Sequence, residues 1–294
     1  MPIEFLYLAI ASVAFSAQFI FTKQYQRTVG TADATTSFFH KMIAPLVFVL
    51  VLLVKNEFQI SITPFSLVMS LLNVGILLCC SLCSMKVLEG GTLANYSLYL
   101  MSGGMILPAL YGFIFAGDSV GGWKIVSILV ILAAIFVKYD SREKVDKKNL
   151  LLLIALFVLN GSVGVISSVY QGNLFVFERP AVEDFQILYT LLSMLTAGVL
   201  FAVKMLKSTE AKRELKQYIK ASPWALMEGV LNGVGNLLLL VSLSVLEPSL
   251  QYPIITGGSI FLAAIFGFFF KEKPTTRGWI SIALAVFGTV LMMF

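Results

Sequence analysis

Glu228, Asn232 and Asn236 stand four residues apart in "WALMEGVLNGVGNLLLL" (224–240), so one carboxyl and two amides share a helix face in an otherwise apolar run. A carboxylate set in such a run has three uses. It binds a cationic group of a substrate, carries a proton, or pairs with a neighbouring base. The single histidine, His40, and the adjacent Lys41 are the candidate structural partners; Glu228 and His40 are the candidate proton-coupling groups. Neutral polar residues recur in the other apolar runs: Gln18, Asn73, Asn95, Tyr99, Asn160, Tyr189, Tyr252 and Thr256. Such groups face a bundle interior or a wet cavity, because lipid leaves them unpaired. With Glu228, Asn232 and Asn236 they form the candidate substrate-binding set. Tyrosines near a carboxylate (Tyr96, Tyr99, Tyr189, Tyr252) suit an organic cation or a flat ring. A mostly neutral lining without mid-span arginine suits a small amphipathic or zwitterionic metabolite better than a phosphate.

Other chemistry is not encoded in recognisable form. The chain has no GxxxxGK[ST] loop, HExxH or GxSxG motif and no clustered metal ligands, so neither catalysis nor a cofactor or metal is expected. Cys79, Cys80 and Cys83 lie inside one apolar run and read as small packing residues.

The elements that must hold these groups follow from composition. Of 294 residues, 58% are hydrophobic and only 13% charged, with a mean hydropathy of +0.90; soluble domains carry about 25% charged residues. Ten apolar runs occur near 3–22, 35–54, 65–87, 92–115, 121–138, 149–171, 184–203, 223–246, 249–270 and 276–294. A bilayer core of about 30 Å takes about 20 helical residues, so the fold class is an all-α membrane protein of ten transmembrane helices. The first run carries Glu4 instead of a basic leader and stays apolar past Ala17, so it reads as a retained span. Of 21 lysines and arginines, all but Lys55, Lys124 and Arg179 border the loops after spans 1, 3, 5, 7 and 9. Those odd-numbered loops are expected in the cytoplasm, with both termini outside and the chain multi-pass in the cytoplasmic membrane. A cytoplasmic face beside anionic lipid accounts for the basic loops, so nucleic acid is not expected as a partner.

The spans fall into two similar sets. Ser102-Gly103-Gly104 corresponds to Thr256-Gly257-Gly258, Gly112-Phe113 to Gly267-Phe268, Gly122-Trp123 to Gly278-Trp279, and Tyr25-Gln26 to Tyr170-Gln171, at offsets drifting from 145 to 156. Residues 1–138 and 149–294 thus read as two five-helix repeats joined by a cytoplasmic linker, 139–148. Five is odd, so the copies are inverted, as in many transporters. Pro253, Gly257, Gly258, Gly103 and Gly104 interrupt matching spans. They are the expected hinges, or the points where small residues let helices pack closely.

These features together resemble the drug/metabolite transporter superfamily, in particular its EamA-type ten-helix members: a doubled five-helix unit, Pro253 in span 9, "FKEKP" with Glu272 at its exit, then Gly278 and Gly288 in span 10. The resemblance covers the whole chain through loose motifs; span 4 lacks a proline at the matching point and exits through "AGDS". It implies a cavity enclosed by spans 1–4 and 6–9, with spans 5 and 10 outside and available for a homodimer if the protein is not a monomer. The function expected is secondary active transport of a small metabolite, amino-acid-like or an organic cation, by alternating access, with coupling protons or a counter-substrate. A lipid or lipid-linked-sugar flippase of the same fold is the alternative, and a channel a more distant one.

Overall fold

The computed structural model describes residues 3–116, 121–137, 147–171, 178, 180–243, 248–271, 275–291 and 294. Every regular element among them is helical. The helices are α1 (Ile3–Val29), α2 (Ala34–Ile43), α3 (Leu46–Lys55), α4 (Pro64–Gly90), α5 (Leu93–Tyr111), α6 (Gly122–Val137), α7 (Lys147–Gln171), α8 (Val182–Lys207), α9 (Thr209–Leu243), α10 (Pro248–Phe266) and α11 (Thr276–Leu291). A π-helical turn, Gly112–Ala116, extends α5, and a 3-10 turn, Gly267–Phe270, extends α10.

Among the described residues, six helical stretches are long and apolar enough to cross a membrane: Phe5–Val29, Ala34–Lys55, Pro64–Gly90, Leu93–Phe115, Lys147–Tyr170 and Val182–Lys207. Shorter apolar helices accompany them. The protein is turned inside out relative to a water-soluble one. Leu151, Val51 and Leu195 are largely exposed, whereas Ser16, Ser70, Ser97 and Gln18 are buried. That distribution suits hydrocarbon outside and paired polar groups inside.

Local sequence fixes the helix starts. Asp33 caps α2, accepting from the Thr36 N–H at 2.8 Å, and Thr63 with Ser66 forms a capping box on α4, whose first residue is Pro64. Thr92 caps α5 directly after Gly91, so α4 and α5 form a tight hairpin. α1 lies centrally, packed on α9 and α10; α5 packs on α7, and α6 on α11. The α6–α11 pair is pinned by buried hydroxyls: Ser127 Oγ donates to the Gly288 carbonyl at 2.6 Å, and Ser281 Oγ to the Ala134 carbonyl at 2.7 Å. At the far end of α1, Lys23 donates to the Gly91 carbonyl at 2.8 Å, and Lys23 and Arg27 both lie over the Phe270 ring.

One sequence expectation is corrected here. The second run is not one helix: α2 ends at Ile43, and Ala44-Pro45 form a turn before α3, because Pro45 has no N–H to donate back to Lys41. Conversely, α5 and α10 run as unbroken α-helix through Gly103-Gly104 and Gly257-Gly258. Close packing is what those glycines do in this conformation. A Cβ at Gly103 would sit 2.8 Å from the Phe157 Cα on α7, one at Gly104 2.7 Å from the Asn160 amide, and one at Gly258 2.9 Å from Ser12 Oγ on α1. The irregular turns come later, and both start at glycines that the repeat pairs, Gly112 and Gly267.

Candidate functional site

A cavity of about 290 Å³ lies inside the bundle. Its walls come from α1, α2, the Ala44-Pro45 turn, α3, α4, α5, α7, α8, α9 and α10, and none of its lining residues belongs to α6 or α11. The outer position expected for spans 5 and 10 agrees with this.

The α9 face carries the polar stripe. Glu228, Asn232 and Asn236 all line the cavity, rising about 12 Å along the helix at 1.5 Å per residue. Their amides form a directed chain: Asn236 Nδ2 donates to Asn232 Oδ1 at 3.1 Å and to the Asn232 carbonyl at 2.8 Å, and Asn232 Nδ2 donates to Gln18 Oε1 at 2.7 Å. The order fixes which way each amide points, and it ties α9 to α1 across the cavity wall. On the opposite side, Asn160 Nδ2 donates to the Leu100 carbonyl at 2.7 Å, joining α7 to α5 beside Gly104.

Glu228 is buried and faces His40, with 3.7 Å between Oε2 and Nε2. The His40 ring also lies 4.7 Å from the Tyr25 ring, whose hydroxyl donates to the Thr36 carbonyl at 2.8 Å. The expected partnership of Glu228 with His40 is therefore present as a contact. Lys41 lines the same cavity. α9 approaches this corner closely: a Cβ at Gly229 would overlap the Ala44 carbonyl group.

Of the expected binding residues, Gln18, Asn160, Tyr189, Glu228, Asn232, Asn236 and Thr256 converge on the cavity. Three do not line it. Tyr99 packs in the apolar cluster with Phe19 and Tyr96, while its neighbours Leu100 and Met101 face the cavity instead. Asn73 is buried one turn from Leu77, the α4 residue that lines the wall. Asn95 sits in the first turn of α5, where its N–H is capped by Thr92. Tyr96 donates to Ser84 Oγ at 3.2 Å, so Tyr96 and Tyr99 do not join Tyr189 in an aromatic cage. Tyr252 and Pro253 lie in α10, and their side chains fall outside the described residues. The lining also includes Gln186, Thr190 and Ser193 of α8, which sequence reasoning missed. Gln186, Tyr189, Thr190 and Ser193 follow a three-and-four spacing on one face, the signal that would have identified them.

The model of the EamA-like transporter family matches residues 150–294. Two curated relatives are similar over a shorter stretch. Both are described as "Probable 4-amino-4-deoxy-L-arabinose-phosphoundecaprenol flippase subunit ArnE", one from Yersinia pseudotuberculosis serotype O:1b (strain IP 31758) and one from serotype IB (strain PB1/+). Each is 33% identical over 69 residues, 24% of this chain and 60% of the relative. The chain thus spans 60% of the length of the curated relatives it matches. Both comparisons support the drug/metabolite transporter superfamily.

Proposed function

We propose, for a membrane protein whose residues 150–294 carry an EamA-like transporter domain, that it is a secondary active transporter of a small amphipathic or zwitterionic metabolite. The observation that carries this reading is the cavity. It is small, walled by helices from both halves of the chain, and lined by amides and hydroxyls around one lysine and one glutamate. Ligand sites have this character, with a few placed polar groups in an otherwise apolar wall.

Alternating access is the mechanism we propose, with two inverted five-helix repeats rocking about the cavity. The contacts support the duplication. The packing of α5 on α7 has its counterpart in α10 on α1, and that of α4 on α7 in α9 on α1. The α4–α5 and α9–α10 hairpins are the proposed moving units, with Gly103, Gly104, Gly257 and Gly258 at the crossings they must slide past. Glu228 with His40 is the proposed site of proton coupling: an acid facing an imidazole at the edge of a water-accessible space. Both termini and the loop 57–63 are proposed to lie outside the cytoplasmic membrane, and the basic start of α9 inside.

Counterflow tests the transport reading. Proteoliposomes preloaded with an unlabelled mixture of amino and hydroxy acids should transiently concentrate the labelled compounds above equilibrium. Simple equilibration without overshoot indicates a channel, and no movement refutes transport of this class. The similarity to the ArnE flippase subunits favours a second reading, a flippase for a lipid-linked amino sugar. Reduction-protected inversion of a fluorescent polyprenyl-phosphate sugar, with no counterflow, would establish that reading instead.

A further inference from the structure

We propose that Lys41 is the specificity-determining residue of the cavity and docks a carboxylate of the transported solute. The inference rests on the transport reading above and names the group by which the solute is held. Two charged side chains line the cavity, and they are not equivalent. Glu228 is already faced by His40 at 3.7 Å. Lys41, one residue along α2 from His40, is only partly buried; among the described residues no side chain makes a close hydrogen bond or ion pair with its ammonium, and Glu228 lies within its electrostatic reach. A cation on a low-dielectric wall attracts anions, because the surrounding apolar surface focuses its field.

The rest of the lining selects which anion. Lysine offers a point charge with three rotatable donors, and apart from Glu228 the other lining groups are neutral amides, hydroxyls and hydrocarbon. A phosphate dianion is held by arginine forks or several charges, which this cavity lacks among its lining residues. A monoanionic carboxylate matches a single ammonium. α8 offers an acceptor: Gln186 Oε1 is buried and makes no hydrogen bond among the described residues, and it lines the same space. A solute with a carboxylate at one end and a donor at the other, as in an α-amino or α-hydroxy acid, satisfies both ends within about 290 Å³.

The test reads the cavity's field with two thiol reagents of opposite charge and equal reach. Ser193→Cys, in the lining of the same cavity, is made in the full chain with Cys79, Cys80 and Cys83 replaced by alanine. The rates of modification by sulfonatoethyl and trimethylammonium-ethyl methanethiosulfonate are then compared, each relative to a free thiol. Lys41→Met should lower the anion-to-cation ratio roughly tenfold while Lys41→Arg keeps it. Millimolar alanine or lactate should slow the modification where their primary amides do not, and Lys41→Met should remove that protection. An unchanged ratio in Lys41→Met, an equal shift in Lys41→Met and Lys41→Arg, or a thiol that neither reagent reaches overturns the inference. Protection by the amides as well as the acids overturns the carboxylate assignment. Because the ratio is read without flux, its failure alongside intact counterflow removes Lys41 from the site and leaves the carrier standing. A correct ratio without counterflow does the reverse.

Discussion

The crossing of α9 over the Ala44-Pro45 turn allows a stringent stability prediction. Gly229 and Gly75 both sit inside long helices, α9 and α4. Replacing either by alanine gains the same intrinsic helix propensity, about 1 kcal/mol. They differ only in what a Cβ would meet. At Gly75 nothing lies within 4 Å. At Gly229 the Cβ would overlap the Ala44 carbonyl and lie 3.1 Å from its Cα. Carbon atoms in contact rest about 3.5–4.0 Å apart, so α9 or the turn must retreat by about an ångström at least. The obstacle is main chain, which no rotamer change can move aside. Overpacking of this kind costs about 1–3 kcal/mol, and a backbone obstacle puts Gly229→Ala at or beyond the upper end. The net expectation is a loss of about 2 kcal/mol for Gly229→Ala and a gain of up to about 1 kcal/mol for Gly75→Ala. In thermal unfolding of the purified protein in detergent, the two variants should separate by roughly 6–12 °C, with Gly229→Ala below the parent. Gly229→Ala should also lose counterflow, since Gly229, Ala44 and Pro45 all line the cavity. Equal melting temperatures for the two variants would refute the packing of α9 on the turn.

Three further outcomes are expected. Glu228→Gln should abolish pH-driven accumulation while leaving solute exchange in place; a pH profile identical to the parent's removes Glu228 and His40 from coupling. Asp33→Ala should cost about 1 kcal/mol of thermal stability by uncapping α2. Burial by itself raises the Asp33 carboxyl, but donors from Thr36 and then Thr35 outweigh it and hold the group below the usual carboxylate range. With the folded value depressed, the cap's contribution is complete above the unfolded carboxylate range of about pH 4 and disappears as pH falls further. The difference between parent and Asp33→Ala should therefore shrink in acid, and a constant difference would contradict it. In a background without native cysteines, Glu57→Cys should react with an impermeant maleimide on intact cells and Lys216→Cys only after permeabilisation; the opposite result inverts the proposed topology.

Much of this arrangement was legible in the sequence, for identifiable reasons. A four-residue period survives any amount of tertiary context, so Glu228, Asn232 and Asn236 were correctly assigned to one face. Gln18 and Asn160 were found because a buried amide among aliphatic residues has few alternatives to facing other polar groups. Tyr99 misled because its ring is amphipathic: a tyrosine serves an apolar cluster as readily as a cavity, and sequence alone does not separate the two. The break in the second run was legible but overlooked. Pro45 interrupts an apolar stretch as plainly as Pro253 does, but a proline inside a long apolar run is compatible with a kinked helix as well as with a break. Gln186, Thr190 and Ser193 went unrecognised because hydroxyls and a single amide barely disturb the hydropathy of α8, so only their shared face distinguishes them.

The turn at Ala44-Pro45 also contributes to the cavity wall. Pro45 cannot answer the Lys41 carbonyl, so that acceptor lacks its usual helical donor beside a turn that lines the cavity. Side chains elsewhere on the wall are exchangeable over evolutionary time, and the cavity's preference can be retuned through them. An acceptor belonging to the backbone is not open to such revision. It persists through every substitution that keeps the proline, a fixed point around which the remaining recognition is free to drift.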